Sequence, residues 1–465
     1  MNAPDTSAKS PAIARSSGEI RALLSLGWPL FVSQLAVMAN GIIDTAMAGQ
    51  RSAADLAAVA IGSSIYYIIY VGLMGAMQAI SPIAAQHYGA GRLHAVGETW
   101  RQGQWMALIL LIPGAIALAF PGPMLRLLGA DPEVAAQSET YLRFIALGLP
   151  AALWFRAFTT FNAAVSRPRI VMMINLAGPC LKVPLNLVLL NGSQSALGLA
   201  GVPELGGAGC GLSTALIAWA SAGLGALLLS RDPFYQRFAL QGWGRPRKDA
   251  LKELLLLGLP MGGTYLIDVS AFQLMTLLIA RSGTEMTGAS AIAGSLAATT
   301  FMLPLALGNA TCVLCAQHLG ARSLDRARNT AWLGLKLALV LALITAVLIF
   351  LLRSPLARLY TSDPGVASIA VGLFGLVAAY HVFDALQCVL AFVLRAWKIA
   401  VAPMVIFAGS LWGVGVGGGW WLAHGLGWQA QGFWSAAALA VAVAAGGLLV
   451  LFLRQLSAEN VRGSA

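Results

Sequence analysis

Charge is what this sequence has least of: 10% of its 465 residues are Asp, Glu, Lys or Arg, against about 25% in soluble domains. A chain so poor in charge cannot clothe two or three soluble domains, although its length would allow them. Cysteine is scarce too. The five cysteines (Cys180, Cys210, Cys312, Cys315, Cys388) all sit in or beside apolar runs. Cys312-x-x-Cys315 has no second ligand pair and reads as helix packing rather than a metal or redox site. No Gly-x-x-x-x-Gly-Lys-Ser/Thr occurs anywhere in the chain, which excludes a P-loop nucleotide motor. No nucleophile–base pair or metal cluster appears, so an enzyme is not expected. The polar, Ser-, Ala- and Pro-rich start has no apolar stretch followed by a small-residue cleavage site; no signal peptide is expected, and the first apolar span should direct insertion.

What the chain has instead is 58% hydrophobic residues. Long apolar runs separated by short polar ones make lipid the solvent, and a backbone in lipid must satisfy its own hydrogen bonds inside helices. The expectation is an all-α polytopic membrane protein with twelve spans, near 22–48, 54–84, 98–120, 135–161, 168–191, 209–229, 252–281, 286–314, 328–352, 367–393, 399–423 and 430–453. The glycine run Gly413 to Gly419 lies inside the eleventh with no acidic partner downstream. It reads as close helix packing through small residues, not as a dinucleotide loop.

The chain also repeats itself. Gly27-Trp28-Pro29 returns as Gly258-Leu259-Pro260, Ala60-Ile61 as Ala291-Ile292, and Ala85-Gln86-His87-x-Gly89-Ala90 as Ala316-Gln317-His318-x-Gly320-Ala321, always 231 residues later. Arg126 and Asp131-Pro132 find counterparts in Arg358 and Asp363-Pro364 at an offset of 232. Six spans per copy is an even number, so both copies share one orientation and should be related by a pseudo-two-fold axis along the membrane normal, with a cavity between them. The expected division is a tail (1–21), a first six-helix lobe (22–230), an inter-lobe linker (231–251), a second lobe (252–453) and a C-terminal tail (454–465).

Most of the 29 Lys and Arg fall on the side of both termini, with the longest basic stretch in the linker around Arg245-Pro246-Arg247-Lys248. The opposite loops hold only Arg51, Arg126, Arg281, Arg353 and Arg358. The positive-inside rule then puts both termini in the cytoplasm, and the net charge of +11 is largely this bias rather than a nucleic-acid signal.

Asp44, Asp268 and Asp384 are the acids that lie well within spans. An uncompensated carboxylate at mid-membrane costs about 2.5–3.5 kcal/mol even on the lenient insertion scale, so it must face a cavity, a cation or a proton. A protonated Asp bonded between helices is the bland alternative for any one of them; three together favour function. Tyr380 and Asp384 stand four apart on one helical face and offer a hydroxyl and a carboxylate to the same point, a combination suited to a dehydrated monovalent cation or a proton relay. The basic residues within spans are Arg143, Arg156, Lys182 and Lys336, of which Arg143 and Lys336 read as structural. Lys182 and Asn186 share a face of the fifth span at the depth of Asp44, so an Asp44–Lys182 ion pair is expected. Trp154, Met172, Met173 and Met275 read as core packing before ligand pocket.

With these residues in view the chain resembles the multidrug and toxic compound extrusion (MATE) family, nearest its NorM-like bacterial branch. The resemblance rests on Gly27-Trp28-Pro29, Gln34, Asp44-Thr45-x-Met47-Ala48-Gly49, Pro82-Ile83-x-x-Gln86-x-x-Gly89-Ala90-Gly91-Arg92, Pro184-Leu185-Asn186, Gly206-Gly207-x-Gly209-Cys210-Gly211 and Tyr380-x-x-x-Asp384-x-x-Gln387 with Leu394-Arg395. It covers all twelve spans and is specific as a set. It implies a V-shaped pair of lobes and a secondary antiporter of the bacterial inner membrane. Such a protein exports cationic or amphipathic small molecules against inward sodium or proton flow, with no cofactor beyond that coupling ion.

Carried over by position, the resemblance gives Asp44 as the first-lobe acid and Asp384 with Tyr380 as the second-lobe cation site. Asp268 stands where the branch usually has glutamate, and a monovalent cation is expected at Asp268 and Asp384. Gln34, Lys182 and Asn186 form the expected polar cluster of the first lobe, Lys182 replacing the usual asparagine. The expected partners are the small-molecule substrate and membrane lipid, with no nucleic acid, and the chain is expected to be a monomer. A flippase for a lipid-linked or polysaccharide precursor is the alternative; it predicts spans beyond twelve and a strongly basic cavity. A channel would not need two copies with midplane acids. The orientation gives the first testable outcome. In a cysteine-free background in intact cells, cysteines near Arg245 and Ser457 should resist a membrane-impermeant thiol reagent while one near Glu204 reacts; labelling near Arg245 from outside would reverse the topology.

Overall fold

The computed structural model describes the backbone of residues 11–127, 131–194, 201, 203–240 and 242–464. Among them, twelve helices are long and apolar enough to cross a membrane: α1 (Gly18–Arg51), α2 (Ala53–Gly89), α3 (Leu93–Ala119), α4 (Pro132–Ala164), α5 (Pro168–Asn191), α6 (Ala208–Arg231), α7 (Lys248–Ala280), α8 (Thr284–Gly320), α9 (Leu324–Leu351), α10 (Pro364–Ala396), α11 (Val401–Gly425) and α12 (Gln429–Glu459). Several run past the expected ends. The helix containing α1 is already formed at Pro11, and the one containing α12 continues to Ser464, so helix occupies part of both expected tails. Residues 1–10 of the first tail lie outside the described residues.

The internal repeat is visible in how the chain starts and stops its helices. Asp131 and Asp363 each precede a proline at the first helical position, and each carboxylate accepts a backbone N–H of the new helix, Glu133 N at 3.0 Å and Gly365 N at 2.8 Å; a cap followed by a residue with no N–H to spare makes a firm start. The turns after α2 and α8 both pass through the left-handed region, at Gly91 (φ 70°) and Arg322 (φ 55°), as do those after α4 and α10, at Ser166 (φ 62°) and Lys398 (φ 59°). Packing repeats as well: α4 lies against α2 and α6 as α10 lies against α8 and α12, and α1 lies on α5 as α7 lies on α11. Two differences break the symmetry. A turn at Gln78–Ala79 interrupts α2, whereas α8 is continuous. In α11, Ala408–Gly417 is wound as π-helix, and the glycines that follow it are pressed on α12, where a Cβ on Gly419 would fall 2.6 Å from the Phe433 ring. The glycine run is thus a packing device, as its small residues imply.

The lobes (α1–α6 and α7–α12) meet through α1 on α8 and through α2 on both α7 and α8, and the closest approach lies at the end that carries both termini. There Gly89 backs onto the carbonyl of Gln317, where an added Cβ would sit 1.9 Å from the oxygen, and Gly320 backs onto that of Gln86, at 1.8 Å. The two glutamines then cross over. Gln86 Nε2 donates to Ala396 O at the end of α10, and Gln317 Nε2 donates to Ala164 O at the end of α4, both at 2.8 Å. Toward the opposite end, Ile42 on α1 and Tyr67 on α2 are exposed.

The basic segment between the lobes is more than a tether. Gln102 on α3 donates to Arg245 O at 3.0 Å and accepts from Arg247 N at 2.9 Å, while Arg101 donates to Ala239 O. Gly97 leaves room for the Phe238 carbonyl. Beside it, the Phe234 N–H, and then Arg167 at 2.6 Å, hold the Asp232 carboxyl below the usual carboxylate range. The segment is therefore docked on the first lobe.

The reciprocal glycine contact yields a test. Spin labels at the pseudo-equivalent Leu93 and Leu324 should show a longer mean separation in Gly89→Ala/Gly320→Ala than in the parent, because neither Cβ fits the closed contact. An unchanged distance would contradict the interface described.

Candidate functional site

Each lobe buries a carboxylate within its spans, but the two lobes satisfy it differently. In the first lobe Asp44 on α1 faces Lys182 and Asn186, one turn apart on α5. Lys182 Nζ lies 2.9 Å from Asp44 Oδ2, and Asn186 Nδ2 donates to Asp44 Oδ1 at 2.8 Å. The lysine is 1% exposed. Its ammonium also donates to Thr214 Oγ1 and, at 3.4 Å, to Cys210 O, both on α6, and Ser213 Oγ closes the ring by donating to Asn186 Oδ1. Both oxygens of Asp44 therefore have partners, and the ammonium has three. A buried pair of this kind holds only when the remaining donors and acceptors are also satisfied, which is what α6 supplies.

The glycines of Gly206-Gly207-x-Gly209-Cys210-Gly211 let α6 come close enough to do so. Gly207 N donates to Asp55 Oδ1 at 2.5 Å, and Gly209 and Gly211 would place a Cβ 2.7 and 2.6 Å from the carbonyls of Leu189 and Tyr141. Gln34 belongs elsewhere: ten residues from Asp44 on the same helix, it lies about 15 Å along the axis. Ser213, Thr214 and Cys210 complete the cluster in its place. Sequence offers little signal for them, since a Ser or Thr in an apolar helix ordinarily bonds its own backbone, as Thr214 also does to Cys210 O at 2.9 Å.

In the second lobe no such ammonium is supplied. Asp384 on α10 is 4% exposed and accepts from Gln387 Nε2 at 2.8 Å. Tyr380, one turn earlier, lies beside the same carboxylate, and Asp268 on α7 is within electrostatic range of both. Among the described residues no Lys or Arg forms an ion pair with Asp268 or Asp384. Gln387 Oε1 is buried without a hydrogen-bond partner. The site thus presents two carboxylates, a phenol and an unsatisfied amide oxygen. These are hard oxygen donors of the sort a small monovalent cation takes, and no group of three or more His, Cys, Asp or Glu gathers among the described residues as a transition-metal site would require. Tyr380 is held in place by the edge of Trp434 on α12 (6.1 Å between ring centres), whose indole N–H donates to Ser290 Oγ at 3.2 Å. Like charges in a poorly solvated site repel strongly, so ionisation of both acids calls for a cation, and its absence for a proton.

Of the remaining residues singled out from the sequence, Trp154 packs edge-on to Trp100 and stacks on Phe158, and Met275 is buried, whereas Met173 is exposed on the surface of α5. Cys312 and Cys315 are buried and free.

The chain was compared with known proteins. The MatE family model matches it twice, over residues 29–188 and 260–421, once in each copy of the repeat. A probable multidrug resistance protein NorM from Aromatoleum aromaticum is 40% identical over 437 residues, covering 92% of this chain and 93% of the relative. The multidrug resistance protein PmpM of Pseudomonas aeruginosa is 34% identical over 415 residues, covering 88% and 86%. Among solved structures, the eukaryotic MATE transporter AtDTX14 superposes with a TM-score of 0.86 at 18% identity, over 96% of this chain and 99% of that one. The Vibrio cholerae MATE transporter VcmN in its bent form does so with 0.84 at 19% identity, over 96% and 99%. The fold is shared with these structures, the sequence with the NorM relatives along nearly the whole length, and the chain belongs to the MatE family as a NorM-like, twelve-helix MATE transporter.

Proposed function

We propose that this protein is a secondary antiporter of the bacterial inner membrane, with both termini cytoplasmic, that exports cationic or amphipathic small molecules in exchange for sodium ions or protons. It acts as a monomer by rocking its lobes about the Gln86/Gln317 contact. The names of its relatives, multidrug resistance proteins, support the substrate range. The observation that carries the coupling is the contrast in charge compensation: Asp44 already has an ammonium at 2.9 Å, whereas Asp268 and Asp384 have none among the described residues. A carboxylate without an internal counter-ion is the one that must borrow a cation or proton from the solution. Coupling is therefore assigned to the second lobe, with Tyr380 and Gln387 as neutral ligands, and the first lobe is held as a closed ion pair.

Two outcomes follow. In proteoliposomes with sodium and pH gradients imposed separately, Asp384→Asn and Asp268→Asn should each abolish gradient-driven export of a fluorescent cation while leaving insertion intact. Tyr380→Phe, which removes one neutral ligand, should slow it by roughly three- to tenfold. Wild-type export by purified Asp384→Asn protein would sink the assignment. In the first lobe, removing one partner of a buried pair costs about 3–5 kcal/mol if the other is left charged and alone. Lys182→Asn should thus admit a proton or cation to Asp44 and alter the pH or sodium profile of export, and Lys182→Asn/Asp44→Asn should lose that alteration. An unaltered profile in Lys182→Asn would remove the lysine from the coupling account.

A further inference from the structure

The segment that joins the lobes carries Arg231, Arg237, Arg245, Arg247, Lys248 and Lys252 against two acids, Asp232 and Asp249. Its chain is fixed to the first lobe at several points. Tyr235 is buried and donates its hydroxyl to Asn162 Oδ1 at 2.6 Å, and Phe238 is buried beside it. Further on, Gln102 of α3 takes hold of the backbone on both sides of Pro246, at Arg245 O and Arg247 N. The side chains of Arg245, Arg247 and Lys248 are left exposed, and among the described residues none of them forms an ion pair. Glu98, the acid whose field reaches Arg247, is already bonded to Arg101 at 2.6 Å and to Gln102 at 2.9 Å. A compact group of cations is thus held in place with its charge uncompensated.

The surroundings say what kind of anion would meet it. Trp243, 53% exposed, stands edge-on to Trp105 of α3 with ring centres 5.9 Å apart, and the Trp105 indole N–H donates to Gly244 O at 3.4 Å. Indoles gather where a bilayer turns from hydrocarbon to headgroup. From Trp105 the helix runs on through Ile109, Ile112 and Ile116, spaced four, three and four residues apart and hence on one face, and all three isoleucines are exposed. The cations, the indole pair and the apolar stripe follow one another along α3. That is the order of parts in a phospholipid: a phosphate, an interfacial glycerol and an acyl chain. The planar fork of an arginine fits a phosphate through paired hydrogen bonds, and a basic patch at the membrane surface favours acidic over zwitterionic lipid.

We propose that the docked inter-lobe segment and α3 form a binding site for an anionic phospholipid, its phosphodiester on Arg245 and Arg247 beside Trp243, and an acyl chain along Trp105, Ile109, Ile112 and Ile116. The site anchors the segment in the headgroup layer at the point where it leads into α7. The test uses purified full-length protein in detergent, titrated with phosphatidylglycerol or with phosphatidylcholine of the same acyl chains. Native mass spectrometry reads the dissociation constant of the first bound lipid. No gradient is involved, so the result does not depend on the export reading.

The wild type should prefer phosphatidylglycerol. In Arg245→Gln/Arg247→Gln that preference should fall about tenfold or more, and Arg245→Lys/Arg247→Lys should keep only part of it, because it retains the charge and loses the fork. Gln102→Ala, which removes no charge but releases the backbone on which both arginines stand, should also lower it. Arg281→Gln/Arg358→Gln, which takes the same charge from the other ends of the spans, should leave it unchanged. Phosphatidylcholine binding in each preparation reports whether the variant is folded. No preference in the wild type, a preference unmoved in Arg245→Gln/Arg247→Gln, or an equal fall in Arg281→Gln/Arg358→Gln would overturn the proposal. So would displacement of phosphatidylglycerol by excess inorganic phosphate, which would make the arginines a site for the free anion.

Discussion

The interaction on which the rest of the molecule depends is the paired contact of Gly89 with Gln317 and Gly320 with Gln86. It is the point where one copy of the repeat recognises the other, and it is reciprocal, each glutamine bonding the last carbonyl of a helix in the opposite lobe. Apolar surface gives little drive for helices to associate in lipid, so close backbone approach and a few directional bonds must do it. Each such bond contributes on the order of 1 kcal/mol.

Within that frame the two copies have parted in their electrostatics. The first has built its cation into the chain: Lys182 completes a ring of bonds with Asp44, Asn186, Ser213 and Thr214. Among the described residues the second gives Asp384 and Asp268 no ammonium and leaves the Gln387 carbonyl oxygen unsatisfied. One fold thus holds a site closed by its own side chain beside a pseudo-equivalent lobe whose carboxylates have no internal ammonium among the described residues. An internal lysine is covalently bound to its lobe and cannot be exchanged across a membrane, and the acids themselves do not correspond in the repeat, since Met275 stands where Asp44 would recur and Val37 where Asp268 would.

Much of the architecture was legible because it rests on signals that sequence carries directly. The helix count follows from apolar run length, the lobes from a constant offset, and the caps at Asp131 and Asp363 from the Asp-Pro pairs. The Asp44–Lys182 pair was legible because depth along two helices can be counted from their ends. Features that depend on lateral position were hidden. Gln34 shares a helix with Asp44 yet lies too far along it to join the cluster, and Ser213 and Thr214 join it from a third helix that no spacing connects to the first. The docking of the basic linker on α3 was equally hidden, since Gln102 and Gly97 acquire their meaning from a backbone more than a hundred residues away.

On the proposed function, the exchangeable charge resides in the second lobe and the first lobe is internally neutralised. Infrared difference spectroscopy of the purified protein, taken between low and neutral pH with and without sodium, tests it most directly, because a protonated buried carboxyl has its own carbonyl band. The account predicts a band that sodium or neutral pH removes, that is lost in Asp384→Asn or Asp268→Asn, and that persists in Asp44→Asn. A band that disappears with Asp44→Asn and survives the loss of both second-lobe acids would contradict it.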